Sequence, residues 1–530
     1  MKNDSNETKR KDGDHLDKRD NKGTKSHHQP RESHHIEKRH THIQDIGNDC
    51  IGQIFTFLTL SELGSVIARA SKQWQHIVEA GMPMRDDVCT PIPDDENLNA
   101  LLTGIEQVQS RIGRRHIGTV LFRSTFRSCI LSEMLTLKMC STLSVSSNLH
   151  TFCLRTNSAN SGGFGKIFTA LHHHSTLTHI DVSHNRFNED DAKMFRQLIH
   201  HNRIVTTLKA DYCQISSIGM VNILSPLQRN TTLRTLSLNG SFFDSTVSNA
   251  LIQVLSINTS LTELELGYCS IQLNGLKILW QSISDNRALK SLRLRSNQFG
   301  PESGLLLGEV IRHNSALTYL DISGNCIRAN GMQIILNAVS SNSTIEALDI
   351  GRNRFGSECT SALVNMLTRN STLTELELGR NIEQMDWKSL FAGLRQNRSI
   401  TKIDFSHNEM TADNIRSLVS LVTDSDHPSP IRSIDLSNNL LKGDAVYLLA
   451  AMLSHRNCEL TSLMLSYTGM TSTGVETILS ALHHNTSLTT IDVSGNNLES
   501  DDHLVGQLLA LAKSNSRITV LHFDRYTMGT

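Results

Sequence analysis

A single spacing organises most of this chain. From Leu149 onward, a segment of the form L-x-x-L-x-L-x-x-N returns about every 28 residues. A fixed period of this length is the sequence signature of a solenoid, in which each repeat packs only against its neighbours. The pattern therefore predicts a long regular face that is suited to binding. The first apolar residue of the successive copies stands at Leu149, Leu177, Val205, Leu233, Leu261, Leu289, Leu317, Ile345, Leu373, Ile400, Ile431, Leu460, Leu488 and Ile518.

Each copy predicts one short strand followed by one helix. Apolar and polar residues alternate in Leu376-Glu377-Leu378, and a period of two indicates a strand with one buried face. The Asn at the ninth position of the motif, such as Asn325, follows the strand. We expect its side chain to form hydrogen bonds with backbone groups of adjacent repeats. A second recurrent Asn, such as Asn314, stands three residues before the next copy. It predicts the end of the helix, in the left-handed conformation that Asn tolerates.

A strand and a full helix in about 28 residues resemble the ribonuclease-inhibitor subclass of leucine-rich repeats. The resemblance covers residues 117–530 and implies an α/β fold. It would be a horseshoe-shaped solenoid of about 14 or 15 repeats, with parallel strands inside and helices outside. The first copy, at Ile117, Val120 and Phe122, is expected to be irregular.

The chain before the array divides into three segments. Residues 1–42 have hardly any large apolar side chain and cannot bury enough surface to offset their ordering entropy, so we predict a disordered, charged and histidine-rich tail. Residues 43–80 predict two or three short amphipathic helices, because Asp49 can cap a helix in which Ile54 and Leu58 share a face. Residues 81–116 contain three prolines and are expected to form a connector and an N-terminal cap.

The segment 43–80 resembles an F-box, which would place a small all-α unit before the solenoid. The stretch DCIGQIFTFLTL, at 49–60, matches the acidic residue, the Ile-Phe pair and the Phe-Leu pair of that family. Ser61-Glu62-Leu63 matches its Ser-x-Leu helix start, and Lys72-Gln73-Trp74 matches its closing basic-x-Trp. The segment departs from the family at 46–47, where Ile-Gly replaces the usual Leu-Pro, and at 59, where Thr replaces a frequent Pro.

An F-box followed by leucine-rich repeats resembles a substrate receptor of a Skp–cullin–F-box ubiquitin ligase. The resemblance implies a chain that carries no catalytic residue. It would bind a Skp-type adaptor and its cullin complex and hold a target on the concave repeat face, while partner subunits transfer ubiquitin. The adaptor-binding residues would be Ile54, Phe55, Phe57, Leu58, Leu63 and Trp74.

Two alternatives to this interpretation stay open. The first is a non-ligase scaffold or sensor, similar to the repeat arrays of immune receptors, in which the helices at 43–80 only cap the solenoid. The second is a GTPase regulator that resembles the Ran-activating proteins, since these share the same repeat subclass.

Carboxylates recur at the third residue of the predicted strands, and five of them are consecutive. On adjacent parallel strands they would lie about 5 Å apart and repel one another, which would favour a basic target. The alternative is that Leu-Asp-Leu-Ser is a common sequence in such repeats and has no role in binding. The candidate target-binding residues of the concave face are Asp321, Asp349, Glu377, Asp404 and Asp435.

Composition and motifs argue against several other functions. The net charge of −1 gives no general attraction to nucleic acid or membranes, and no run of about 18 apolar residues predicts a membrane span. Phosphate-loop, serine-hydrolase and zinc-protease motifs are absent, so we predict no enzymatic activity, no cofactor and no metal. The ten cysteines form no C-x-x-C pair and the N-terminus has no apolar leader, which favours a cytoplasmic location, or a nuclear one.

Overall fold

The computed structural model describes residues 129–131, 133–145, 150–155, 157–159, 163–381, 385–497, 517–518 and 520–522. These residues comprise most of the predicted repeat array. The tail at 1–42, the F-box-like segment at 43–80, the connector at 81–116 and the irregular copy at 117–122 lie outside the described residues.

Fourteen short parallel strands form one open sheet within the described residues, and each strand pairs with the one that follows it in the repeat series. A separate two-stranded parallel sheet, which the sequence did not predict, is formed by β1 (Cys129–Leu131) and β3 (Asn157–Ala159). The strands of the main sheet are β2 (Thr151–Cys153), β4 (His179–Asp181), β5 (Thr207–Lys209), β6 (Thr235–Ser237), β7 (Glu263–Glu265), β8 (Ser291–Arg293), β9 (Tyr319–Asp321), β10 (Ala347–Asp349), β11 (Glu375–Glu377), β12 (Lys402–Asp404), β13 (Ser433–Asp435), β14 (Ser462–Met464), β15 (Thr490–Asp492) and β16 (Val520–His522).

A helix follows each strand from β4 to β14 and packs against the helices of the neighbouring repeats. Short 3-10 turns at Ser225–Gln228 and Ser357–Cys359 adjoin two of these helices. The helices of the described residues are α1 (Glu133–Val145), α2 (Gly163–Leu171), α3 (Glu189–His201), α4 (Ser217–Leu224), α5 (Ser245–Ile257), α6 (Gln272–Asp285), α7 (Ser303–His313), α8 (Arg328–Val339), α9 (Thr360–Arg369), α10 (Trp387–Gln396), α11 (Ala412–Val422), α12 (Asp444–Ser454) and α13 (Ser472–Leu482).

The hydrophobic core lies between the sheet and the helices. The middle residue of β2 and of each strand from β4 to β15 is buried, as Leu348 and Leu376 show. The helices between these strands add apolar stripes, such as the one on α8 that includes Leu336 and Val339. Each such side chain contributes about 1.5–3 kcal/mol to stability. Because the first and third residues of a strand point to the other side of the sheet, one face stays uncovered by the helices. We call this the open face; it is the face that the sequence predicts to be concave.

The predicted Asn ladder along the strand ends is confirmed. The Asn325 Nδ2 donates to the carbonyl oxygens of Leu294 and Ile322, both at 2.9 Å. Its Oδ1 accepts the N–H of Asn297 at 2.7 Å, and its own N–H donates to Asn353 Oδ1 at 3.0 Å. Each Asn therefore satisfies buried backbone groups of two adjacent repeats, which explains why an amide recurs at this position.

Two cysteines replace the ladder Asn in earlier repeats. The Sγ of Cys213 donates to Val182 O at 3.2 Å, and the Sγ of Cys269 donates to Leu238 O at 3.4 Å. Burial raises the pKa of both thiols to about 12, so they stay protonated and keep these bonds. Both side chains are buried, as the sequence predicts.

The second recurrent Asn ends the helix as predicted, but its predicted left-handed conformation is wrong. Asn314 follows α7 with φ −76° and ψ 125°, which is extended backbone. Its Nδ2 donates to Ile283 O of the preceding repeat at 2.7 Å, and its Oδ1 accepts the N–H groups of Ala316 and Leu317, both at 2.8 Å. The amide therefore links two repeats, and this cross-repeat bonding explains its recurrence. The left-handed residues lie instead in the turn after each strand.

Candidate protein-binding face

The five predicted target-binding carboxylates form one row on the open face. Strand pairing places Asp321 beside Asp349, Asp349 beside Glu377, Glu377 beside Asp404, and Asp404 beside Asp435. The pairing confirms the predicted register, and the spacing of about 5 Å between the carboxylates stays a prediction from strand geometry. We call these five residues the acidic row. Their role in binding stays a prediction.

The aspartates of the acidic row also shape the turn that follows each strand. Each one accepts, through Oδ1, the backbone N–H two residues further along the chain, which is the local bonding that favours Asp at a turn. This bond accounts for the recurrence of L-D-L-S without any ligand. The four bonds join Asp321 to Ser323 at 2.9 Å, Asp349 to Gly351 at 2.8 Å, Asp404 to Ser406 at 2.6 Å and Asp435 to Ser437 at 2.8 Å.

Burial and mutual repulsion perturb the centre of the acidic row. Burial, followed by the charges of Asp321 and Glu377, raises the pKa of Asp349 to about 7. Burial, followed by the charges of Asp435 and Glu377, raises the pKa of Asp404 to about 6. A cation that binds here would relieve the repulsion and favour the ionised forms.

The exposure and pairing of the acidic row are uneven. The Asp321 side chain is buried, whereas the Glu377 side chain is 32% exposed. Lys402, on the open face of β12, lies with its Nζ 3.1 Å from Glu375 Oε2 and 3.7 Å from Glu377 Oε1. Lys402 is not among the residues predicted from the sequence, although the alternation of the strand residues places it on this face. Part of the negative charge is therefore compensated within the face itself.

Arg293 closes the acidic row at its N-terminal side. It pairs with Asp321 in the strand register, and its Nε lies 3.5 Å from Glu265 Oε1. Its Nη1 donates to the Tyr319 hydroxyl at 3.0 Å, and its guanidinium lies 4.3 Å from the centre of the Tyr319 ring. A cation, a phenol and a carboxylate thus separate the acidic row from the earlier repeats.

A second row, which was not predicted from the sequence, lies in the turns that follow the strands. Arg352, Arg380 and His407 occupy the same turn position in three successive repeats, with φ of 57°, 58° and 55°. The Arg352 N–H donates to Gly379 O at 2.8 Å, and the Arg380 N–H donates to Ser406 O at 3.0 Å. We call Arg352, Arg380 and His407 the basic row. The repeat period alone could have aligned them.

The same turn position carries aromatic side chains in earlier repeats. The rings of His184 and Tyr212 stack with centroids 5.0 Å apart, and the centroids of Tyr212 and Tyr268 lie 6.0 Å apart. Gly240 stands between them with φ +66°, and a Cβ there would fall 2.2 Å from Tyr212 Cδ1. The glycine therefore gives the Tyr212 ring room to lie along the turns.

Within the described ranges, no group of three or more His, Cys, Asp or Glu is placed to hold a metal ion. Among the helices that the structure describes, none has the length and apolar character that a membrane span requires. The predicted adaptor-binding residues Ile54, Phe55, Phe57, Leu58, Leu63 and Trp74 lie outside the described residues.

Comparison with known families identifies the repeats. The profile of the family described as Leucine Rich repeat matches residues 173–195, 258–279, 285–308, 313–335 and 484–502. Together with the open parallel sheet and its outer helices, this match shows that the chain carries leucine-rich repeats arranged as a solenoid. Among curated proteins, none matches this chain.

Three solved structures with similarity to this chain are the following. The yeast Rad7–Elc1 complex matches with 17% identity and a TM-score of 0.47, over 73% of this chain and 91% of that one. An internalin, InlF, from Listeria monocytogenes matches with 18% identity and a TM-score of 0.35, over 82% of this chain and 96% of that one. The actin-binding site 2 of leiomodin-1 matches with 18% identity and a TM-score of 0.26, over 29% and 88%.

Proposed function

We propose that this chain is a non-catalytic substrate receptor of a Skp–cullin–F-box ubiquitin ligase. In this proposal, residues 43–80 bind a Skp-type adaptor, and the open face holds a protein target while partner subunits transfer ubiquitin. The observation that carries the proposal is the F-box-like segment, which precedes a leucine-rich-repeat array with a continuous open face. The protein would act in the cytoplasm or the nucleus and would need no cofactor.

The size of the F-box-like segment supports an adaptor. About 40 residues bury too little surface to be stable alone, so apolar residues such as Ile54, Phe55 and Leu58 need a surface to pack against. An adaptor would bury these side chains and Trp74, and large apolar and aromatic anchors are what dominates the energy of a protein interface.

The array supports a macromolecular target. Leucine-rich repeats are a protein-interaction module, and fourteen strands spaced about 4.8 Å apart present a face roughly 60 Å long. Such a length suits a protein surface rather than a small substrate. We infer that the repeats belong to the ribonuclease-inhibitor-like subclass, in which the strand face would bind the target. Holding target and ligase together would raise the effective concentration of the target at the transferring subunits.

The acidic row favours a target with a basic segment. Asp349, Glu377 and Asp404 lie at its centre, where Lys402 compensates only part of the charge. Lys or Arg side chains of a target would relieve the repulsion between these carboxylates. Because such contacts are screened, affinity for a basic target should fall as salt is added.

Co-purification of the full chain with a Skp-type adaptor tests the proposal. We expect the wild-type chain to retain the adaptor, and a Phe55→Ala, Leu58→Ala variant to lose it. The matched control is Leu305→Ala, which removes a similar apolar side chain that is 64% exposed on α7. Failure of the wild-type chain to bind any Skp-type adaptor would refute the proposal.

Two further experiments distinguish the ligase proposal from its two alternatives. If the chain is only a scaffold, deletion of residues 43–80 should lower the melting temperature of the array without the loss of any partner. If it is a GTPase regulator, adding the full chain should accelerate GTP hydrolysis by a Ran-type GTPase. The ligase proposal predicts loss of the adaptor in the first experiment and no acceleration in the second.

A further inference from the structure

The turn that joins α11 to β13 contains an insertion. The step from Ile400 to Ile431 is 31 residues, whereas the usual step is 28. The extra residues lie in 423–430, which has the sequence TDSDHPSP and belongs to no helix or strand. We call this segment the insertion loop. Residues 425–428 are exposed and Ser429 is half-buried, so the loop lies at the surface, where an insertion can carry a function of its own.

Ser429 lies between two prolines at the end of the insertion loop. Each proline fixes its own φ, and the residue before a proline is restricted to extended backbone. The Ser429 hydroxyl oxygen accepts the N–H of Ile431 at 3.3 Å, and within the described residues this hydroxyl makes no other hydrogen bond. A small local opening of the loop would therefore release the serine from the surface.

Two arginine side chains bind the backbone on either side of Ser429. Arg398 Nη1 donates to Pro428 O at 3.4 Å, and Arg432 Nη1 donates to the carbonyl oxygen of Ser429 itself at 3.0 Å. Arg432 also contacts Glu459. Arg398 is exposed and, within the described ranges, forms no ion pair. The loop therefore adjoins a cationic group that no described carboxylate neutralises.

The carboxylates of the loop flank Ser425 rather than Ser429. Arg395 contacts Asp424, whose Oδ1 accepts the N–H of Asp426 at 2.9 Å. Ser425 lies inside this turn, between the two aspartates in sequence, so a phosphate on its hydroxyl would be repelled by both. Ser429 is therefore the better placed of the two serines to carry a phosphate.

We propose that Ser429 is a phosphorylation site for a protein kinase that selects proline after the acceptor, and that Arg398 and Arg432 bind its phosphate. The site does not depend on the proposed function. In the transfer, the Ser429 hydroxyl oxygen bonds to the γ-phosphorus of ATP, and the bond from that phosphorus to the β–γ bridging oxygen breaks. ADP leaves, and the hydroxyl proton passes to a base of the kinase. The phosphate dianion would then join two successive repeats, because forked guanidinium donors match its oxygens.

Ser225 provides an internal comparison, because Pro226 follows it. This pair lies in the 3-10 turn at Ser225–Gln228, in which Pro226 and Leu227 are buried. Transfer requires the acceptor oxygen in line with the γ-phosphate, so the acceptor residue must leave the protein surface and enter the kinase cleft. Release of Ser225 would unfold the turn and expose its apolar residues. The kinase should therefore distinguish the two Ser-Pro pairs by their structure.

Phosphorylation of the folded full chain tests the proposal. The chain carries Thr90→Ala, which removes a Thr-Pro pair, and is treated with ATP and a proline-directed kinase beside a synthetic peptide of residues 420–434. Mass spectrometry should locate phosphate at Ser429 in both samples, and not at Ser225 in the folded chain. Ser429→Ala should abolish incorporation into the loop. Ser425→Ala is the matched control and should leave incorporation unchanged.

Hydrogen exchange tests the binding of the phosphate. Phosphorylation should slow exchange of the Ile431 amide by about threefold to tenfold, a range that two partly exposed ion pairs can supply. Arg398→Gln should remove this slowing without reducing incorporation, because the arginine binds the product and takes no part in the transfer. Arg416→Gln is the matched control, since Arg416 is 58% exposed on α11 and loses the same charge. Added salt should also reduce the slowing.

Several outcomes would overturn the proposal. Modification of the peptide but not of the folded chain, modification of neither, or equal incorporation at Ser225 and Ser429 would refute the assignment of the site. Equal exchange of the Ile431 amide with and without phosphate, or slowing that persists in Arg398→Gln, would refute the binding of the phosphate by the arginines.

Discussion

Replacing Asp349 by Asn should stabilise the array at neutral and alkaline pH. The carboxylate lies between Asp321 and Glu377 in the acidic row, and burial together with those charges raises its pKa to about 7. Asn has nearly the same shape and keeps an oxygen that can accept the Gly351 N–H, which Asp349 Oδ1 accepts at 2.8 Å. The substitution therefore removes the charge and leaves the turn bond in place.

The pH dependence follows from proton linkage. A carboxyl group whose pKa is higher in the folded chain than in the unfolded chain makes the folded state bind more protons between the two values. The contribution of Asp349 to stability therefore falls as pH rises from about 4 to about 7, and the full cost of its ionisation is present above that window. At about pH 4 the carboxyl is largely protonated, so Asn should have little effect there.

The magnitude comes from the same pKa values. The rise from 3.8 to about 7 corresponds to roughly 4 kcal/mol, at about 1.4 kcal/mol for each pH unit. Asp321 and Glu377 share the repulsion with Asp349 and can readjust when it is removed. We therefore expect Asp349→Asn to raise the free energy of unfolding by about 1–3 kcal/mol at about pH 8.

Urea unfolding at several pH values measures the effect. Circular dichroism would give the free energy of unfolding of the wild type and the variant, and hydrogen exchange of amides in β10 and β11 would localise the change. Asp413→Asn is the control, since its side chain on α11 is 85% exposed and lies outside the acidic row. A loss of stability at about pH 8, or an equal gain at about pH 4 and about pH 8, would refute the account of repulsion in the row.

Two further substitutions test the hydrophobic core and the Asn ladder of the solenoid. Leu294 is only 1% exposed, so Leu294→Ala should lower the free energy of unfolding by about 2–5 kcal/mol in chemical denaturation; an unchanged melting transition would show that the repeat register is wrong. Asn325→Ala leaves the Asn297 N–H without its acceptor and removes one of two amide donors from each of the carbonyls of Leu294 and Ile322, which keep Asn297 Nδ2 and Asn353 Nδ2. The loss should cost about 1–3 kcal/mol and speed hydrogen exchange in both adjoining turns. Unaltered exchange at the Asn297 amide would contradict a stabilising role of the ladder.

The sequence predicted those parts of the fold in which one physical requirement recurs in every repeat. Leu348 is buried because each strand needs an apolar middle residue, and Asn325 bonds to adjacent repeats because each turn exposes the same backbone groups. The carboxylate register followed from the same alternation. The predicted left-handed conformation of Asn314 was wrong. Asn recurs at this position because its side chain bonds to Ile283 O of the neighbouring repeat, and not because its own helix ends in a left-handed residue.

The basic row escaped prediction because its position tolerates many side chains. The turn residue that is Arg352 in one repeat is Tyr212 or Gly240 in others, so no recurring letter marks it. The charge of the row depends on which residue types the neighbouring repeats carry at this turn position. The contact between Arg380 and His407 depends on the neighbouring repeat and on side-chain rotamers, and the sequence reports neither.

The sequence by itself determined the period, the buried strand residues, the Asn ladder and the alignment of the acidic row, because a solenoid repeats its local constraints at a constant interval. Only the tertiary structure decided which charges are compensated. It placed Lys402 against Glu375, buried Asp321, and left Arg352 and Arg380 without carboxylates within the described residues. The reason is physical: burial and ion pairing act between repeats, across contacts that join residues about 28 positions apart.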